Sequence, residues 1–257
     1  MRRALTAVFM FLCFSLFGEA VDAVVFLKAH CDRLDVKLLG ADLQGNLSIQ
    51  EKNGASVISA DSYRFVRLTQ KPALFIKAEE LLKKNDNAAA GKLVTPLLTG
   101  YNFHNAEARA RVLAARIKLE AKQLTAALNC LKPLLDKPAA DPENENFFYA
   151  EAFLMMADIY RTRKSLNEAM PLYRRCAELG VPEFSAQANL ILGRNALGQK
   201  NYDDALRYLM RNVFLYKHGT PARRESLKCV VDIMAKNRDE RLKTFKNMLA
   251  REYPEVQ

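Results

Sequence analysis

The chain of 257 residues contains no tryptophan, 3 histidines and 5 cysteines, and it is short of glycine (10) and proline (9). Glycine and proline at roughly 4% each, against about 7% and 5% in ordinary proteins, argue against a turn-rich β-sandwich or a collagenous chain and for long helices. The histidines at 30, 104 and 218 have no acidic or cysteine cluster around them, so no zinc-ligand spacing is present and no cofactor is called for. Catalytic motifs are missing as well. Gly91-Lys92 lacks the glycine loop of a phosphate-binding strand–helix turn, and there is no H-E-x-x-H, G-x-S-x-G or Cys/His pairing. Carboxylates lie among Lys and Arg on helical faces, a pattern of solvated surface. The expectation is a protein that is not an enzyme. Apolar residues make up 50% of the chain and charged ones 26%, enough to build a sizeable core.

Residues 1–23 stand apart. Arg2 and Arg3 precede an uncharged apolar run of 15 residues, Ala4 to Gly18, and Glu19-Ala20-Val21-Asp22-Ala23 follows with small residues where a signal peptidase reads. This is the layout of a secretory signal peptide, too short for a membrane span of about 20 residues. Cleavage after Ala20 and after Ala23 both fit. The expected location is outside the inner membrane, in the periplasm. Removing residues 1–23 takes away two basic and two acidic residues, so the net charge stays at +10. Such a balance on an exported protein suits anionic partners: acidic protein surfaces, wall polymers or lipid headgroups; nucleic acid is not expected, since export carries the chain away from it. Cys31, Cys130, Cys176 and Cys229 remain, with no C-x-x-C pair. They read as buried thiols, with one disulfide open to them in an oxidising compartment.

From Val24 to Leu68 the patterning is β-like. Leu34, Val36 and Leu38 alternate with Asp35 and Lys37, and Leu47 and Ile49 with Ser48 and Gln50. That is the period of a half-buried strand. Asn53-Gly54 supplies a tight hairpin before Val57-Ile58, and Phe65-Val66-Arg67-Leu68 closes the segment. Four or five strands within residues 24–70 resemble the SH3-like or Sm-like small β-barrels that precede helical repeats. So small a module needs support from the helices that follow.

From Pro72 onward the period is helical and the chain repeats itself. Ala88-Ala89-Ala90-Gly91-Lys92-Leu93-Val94-Thr95-Pro96-Leu97-Leu98 aligns without gaps on Thr125-Ala126-Ala127-Leu128-Asn129-Cys130-Leu131-Lys132-Pro133-Leu134-Leu135, 37 residues on. Ala150 to Glu183 then forms a 34-residue unit with Phe153, Met156, Ala157, Tyr160, Ala169, Tyr173 and Cys176 at its key positions. The next unit, from Ala186, carries Leu192, Gly193 and Ala205 at matching places, but Asn189, Ala196 and Asn212 depart from the pattern and suggest looser packing. These positions resemble the tetratricopeptide repeat (TPR). Small residues there let the two helices of a pair approach closely, and larger ones fill the space around them. Five helix pairs are expected, at about 72–99, 105–136, 146–179, 183–215 and 220–252. Asp141-Pro142 and Thr220-Pro221 mark helix starts, and Gly219 closes the helix before it. The charged finish Arg251-Glu252-Tyr253-Pro254 suits a terminal helix facing water.

The fold expected is thus mainly α: a signal peptide (1–23), a small SH3-like/Sm-like β-barrel (24–70) and a TPR-like α-solenoid (71–257). What the resemblance implies is a groove lined by the first helix of each pair, holding a peptide or helix of a protein partner. Carried onto this sequence, its residues are Arg116, Leu154, Asp158, Arg161, Leu190 and Arg194. Arginines beside leucines suit an acidic, partly apolar peptide. The function expected is a non-catalytic scaffold or adaptor in a cell-envelope assembly, with direct binding of anionic wall polymer or lipid headgroups as the alternative.

Overall fold

A computed structural model describes residues 20–28, 32–42, 44–52, 54–101, 106–137, 142–217 and 219–254. The apolar leader up to Glu19, Cys31, the three histidines, Asn53 and Asp141 lie outside them. The protein is mainly helical with a small five-stranded antiparallel sheet at its N-terminal end. Its residues fall into two compact units, one ending at Phe148 and one beginning at Tyr149.

The first unit opens with strands β1 (Val21–Leu27), β2 (Arg33–Ala41), β3 (Leu47–Glu51), β4 (Gly54–Ile58) and β5 (Tyr63–Leu68). The sheet order is β4-β3-β2-β1-β5. Three successive hairpin pairings build β1 to β4, and β5 returns to the free side of β1, with Val25 opposite both Leu34 and Val66. The alternation read from sequence sets one face: Val25, Leu38, Leu47, Ile49 and Val66 are buried on it. On the other face Phe26 and Phe65 stack with ring centres 4.3 Å apart, and the Arg67 guanidinium lies 5.3 and 5.9 Å from them. Asp42 organises the β2–β3 turn by accepting from the backbone N–H groups of Gln44 and Asn46, and the buried Tyr63 hydroxyl donates to the Gly45 carbonyl at 2.6 Å.

Helices follow: α1 (Ala73–Lys83), α2 (Asn87–Gly91), α3 (Val94–Gly100), α4 (Glu107–Glu120) and α5 (Leu124–Leu131). The second rod of the first pair, continuous in the sequence pattern, is split between α2 and α3. Proline explains the break: Pro96 offers no N–H to the Lys92 carbonyl and its ring crowds that carbonyl, so the helix opens at Lys92-Leu93. Pro133, its counterpart, falls where α5 gives way to one tighter turn over Lys132–Leu134. Leu97 and Leu134, the aligned leucines, are both fully buried. Glu107, a buried carboxylate, receives Arg111 at 2.7 Å and Lys137 at 2.8 Å, and Arg111 also donates to the Cys130 carbonyl, tying α4 to α5.

The helix α6 (Pro142–Thr162) leads into the second unit, which holds α7 (Leu166–Glu178), α8 (Pro182–Gly198), α9 (Tyr202–Leu215), α10 (Pro221–Asn237) and α11 (Leu242–Glu252). There α8 packs against α7, α9 and α10, and α10 packs on α9 and α11. Ala157, Ala169 and Ala205 are fully buried, as are Met156, Tyr173 and Cys176, and Phe153 and Leu192 nearly so. At Gly193 a side chain has no room: an added Cβ would lie 2.6 Å from Leu209 Cγ. Asn189 and Asn212, read as signs of loose packing, are both buried. The Asn212 amide donates to the Ala186 carbonyl at 2.7 Å and to the Ser226 hydroxyl at 2.8 Å, so a polar bridge joins α8, α9 and α10 where looser packing was expected.

The same turn closes the first helix of all five pairs. Asn85, Lys122, Lys164, Lys200 and Arg238 each adopt a left-handed backbone with φ between 53° and 62°. In every case this residue's N–H bonds the carbonyl three residues back, and the next N–H bonds the carbonyl five residues back, from Asp86 to Leu81, Gln123 to Lys118, Ser165 to Tyr160, Asn201 to Ala196 and Asp239 to Met234. These paired bonds satisfy the carbonyls that a helix end leaves open. Glycine usually takes this place; here asparagine and four cations do.

The C-terminal helix differs from its expected form. Glu252 does not face water: it makes a bidentate ion pair with Arg223, the two side chains only 5% and 6% exposed. The same guanidinium donates to the Val213 and Tyr216 carbonyls at the end of α9. Thr220 precedes the first residue of α10 as expected, but its hydroxyl donates to the Lys217 carbonyl rather than into the helix. Helix α9 itself ends at Leu215, before the positive-φ Gly219.

Candidate functional site

The residues assigned to a first-helix groove divide by environment. Asp158 and Arg161 stand one turn apart on α6 and meet. Arg161 donates to the Asp158 carboxylate at 3.1 Å and to the Tyr173 hydroxyl at 3.0 Å, while that hydroxyl donates to Asp158 at 2.6 Å. Burial and the Asp158 acceptor together push the Tyr173 hydroxyl far above its ordinary pKa, so it stays a donor. This clasp links α6 to α7 through an Arg161 side chain that is itself half exposed. Arg194, on α8, donates to Glu225 of α10 at 2.9 Å across an exposed pair. Leu154 and Leu190 are buried and belong to the packing between helices. Arg116, on α4, is exposed and lies in the first unit.

A different constellation occupies the second helices. Between α7 and α9 lies a cleft of about 320 Å³ lined by Arg174, Ala177, Glu178, Arg207, Tyr208 and Arg211. Helical spacing builds it: Arg174 and Glu178 are four apart on α7, and Arg207 and Arg211 four apart on α9, so each pair shares a face. The buried Ala177 methyl forms the floor. Arg207 lies 5.0 Å from the Tyr208 ring centre and pairs at 2.9 Å with Asp204, both partners exposed. Neither Arg174 nor Arg211 holds an ion pair among the described residues. One turn beyond Arg211, Phe214 and Leu215 are 63% and 68% exposed, with Phe214 edge-on to the buried Phe245 of α11. Sequence reading missed this cleft. It falls outside the repeat signature, and exposed arginines on a helix carry no mark in the sequence that separates them from solvated surface.

Among the described residues no group of three His, Cys, Asp or Glu is placed to hold a metal ion, and no helix is long and apolar enough to cross a membrane. Cys130 and Cys176 are buried and unpaired and Cys229 is half-buried and unpaired. Burial pushes the Cys176 thiol up to about 12, which keeps it protonated and unreactive. No family model matches the chain, and no curated protein matches it.

Proposed function

We propose that the protein is an exported, non-catalytic adaptor, a TPR-type array that holds protein partners within a cell-envelope assembly. The observation that carries this reading is the recurrence of one hairpin: five helix pairs closed by the same left-handed turn, with Ala157, Ala169, Gly193 and Ala205 buried within the helix pairs. A hairpin of this kind cannot cover its own apolar face, so it stacks on its neighbours and leaves a run of first-helix side chains open to a ligand. The sheet order, with β5 returning beside β1, supports the small-barrel reading of the N-terminal module. The basic, apolar segment ahead of β1, which begins at Val21 and so takes in the last three residues of the 1–23 leader read from the sequence, supports export to the periplasm.

Partner capture by the first helices runs through Asp158, Arg161 and Arg194 in the second unit. Reversing either arginine would place a glutamate against Asp158 or Glu225, so glutamine is the cleaner substitution. The full chain carrying Arg161→Gln and Arg194→Gln, cross-linked in a bacterial envelope preparation, should lose a partner that the unaltered chain retains while its melting temperature shifts little, since exposed pairs contribute about 0–1 kcal/mol. An unchanged set of cross-linked partners refutes the groove.

A second reading, binding of anionic wall polymer or lipid headgroups, draws on the net charge of +10 and on the exposed cations Lys122, Lys164, Lys200 and Arg238 at the turns. It requires binding to purified wall material or phosphatidylglycerol vesicles that collapses as ionic strength rises.

A further inference from the structure

We propose that the cleft between α7 and α9 is a second docking site, for an acidic and partly apolar segment of a partner protein. It shares no residue with the groove formed by the first helices and does not depend on that groove being used.

Charge complementarity selects the ligand. Three guanidinium groups line the cleft against one carboxylate, Glu178. Arg207 is held by Asp204 only through an exposed pair, while Arg174 and Arg211 have no ion pair among the described residues. A planar guanidinium presents two parallel N–H donors that match a carboxylate. The Tyr208 ring beside Arg207 restricts the orientation of that fork. The cleft's volume of about 320 Å³ lies at the small end of ligand sites. It admits one or two side chains between two rods, a recess that a flat bilayer surface does not enter.

The apolar part of the ligand follows from the continuation of α9. Phe214 and Leu215 lie three and four residues beyond Arg211 and so on the same face, and both are mostly exposed. Large apolar side chains left in water beside arginines match the composition of protein-binding hot spots. A free inorganic anion would be served by the arginines alone and would leave Phe214 and Leu215 without a role. A segment with carboxylates followed by a bulky apolar residue uses both halves of the surface.

The test uses the full chain and three fluorescein-labelled peptides built from the repeats Glu-Glu-Leu-Phe, Gln-Gln-Leu-Phe and Lys-Lys-Leu-Phe, read by fluorescence anisotropy. The Glu peptide should bind and the Gln peptide should bind at least about tenfold more weakly, the effect of one lost charge-assisted contact. The Lys peptide should not bind. Arg174→Glu with Arg211→Glu should weaken the Glu peptide by about tenfold or more, and Phe214→Ser with Leu215→Ser should weaken it severalfold. Arg161→Gln with Arg194→Gln should leave it unchanged. All these side chains are exposed, and circular dichroism melting of each variant checks that it is folded. Equal binding of the Glu and Gln peptides, or indifference to either cleft variant, overturns the proposal. So does a cleft variant that loses phosphatidylglycerol vesicles while the Glu peptide never bound, which assigns the arginines to lipid. Loss of the Glu peptide in the Arg161/Arg194 variant alone moves acidic-segment binding to the first helices, which ends this inference and leaves the adaptor reading standing.

Discussion

Replacing Gly193 by alanine adds one methyl group where α8 crosses α9, and two effects of similar size then oppose each other. Helix propensity alone favours the change by about 1 kcal/mol, because glycine in a helix interior has the larger backbone entropy to lose. Packing opposes it. The new Cβ would sit 2.6 Å from Leu209 Cγ, 2.8 Å from Leu209 Cδ2 and 3.4 Å from the Ala205 carbonyl oxygen. Leu209 is fully buried among Leu227, Val230, Ile233 and Met234, and the clash falls at its branch point rather than at a free tip. Overpacking of this kind costs about 1–3 kcal/mol, so after the propensity gain we expect Gly193→Ala to destabilise by about 0–2 kcal/mol, read from urea unfolding at constant m. Gly198→Ala, on the same helix with nothing within 4 Å of its added methyl, serves as the control and should be neutral or stabilising by up to about 1 kcal/mol. A double-mutant cycle closes the reasoning. Leu209→Ala alone should cost about 2–5 kcal/mol through its cavity, and combined with Gly193→Ala it should cost less than the sum by about 1 kcal/mol or more, since the added methyl fills part of the space. If Gly193→Ala and Gly198→Ala stabilise alike, or the cycle shows no coupling, close approach of the two helices is not what selects glycine at 193.

Three further outcomes are expected. Arg223→Ala should cost about 3–5 kcal/mol in urea unfolding, because it strands the buried Glu252 carboxylate and two carbonyls of α9; the paired change Arg223→Met with Glu252→Leu should recover most of this, and a loss below about 1 kcal/mol for Arg223→Ala contradicts the assignment. Burial would raise the Glu107 carboxyl, but hydrogen bonds and charge from Lys137 and Arg111 outweigh it and hold the carboxyl below its ordinary value. Its stabilisation is therefore complete above the unfolded-state pKa of about 4.3 and is lost as pH falls through the lower folded value. The urea midpoint of Glu107→Gln should accordingly fall less between pH 5 and pH 3 than that of the unaltered chain, and identical slopes refute the coupling. If the leader is removed on export, N-terminal sequencing should find Val21: cleavage after Ala23 would strip three residues of β1 that pair with β2, and with them the Asp22 carbonyl that accepts from both the Thr69 N–H and hydroxyl. A mature chain starting at Val24 counts against this.

The strands and helix pairs were legible because their signals are periodic. Leu34 to Leu38 and Leu47 to Gln50 alternate as half-buried strands do, and the alanines and tyrosines of 150–183 mark where two helices cross. Four of the five turns were not legible, because Lys122, Lys164, Lys200 and Arg238 are good helix residues with nothing local to announce a left-handed backbone. Asn212 misled because a polar residue at a crossing reads as a defect until its partners, Ala186 and Ser226, are in place. Glu252 misled in the same way: its partner, Arg223, lies 29 residues earlier, and only the packing of α10 on α11 brings them together. For the cleft, the arginines of α7 and α9 are distant in sequence, and their shared recess exists only once the two rods lie side by side.

The turn at Lys164 is made wholly from residues between Ile159 and Lys164's immediate successors, and so are its four counterparts. Nothing in such a joint depends on how many others exist. A change confined to one hairpin therefore leaves the backbone bonds of the other four joints in place.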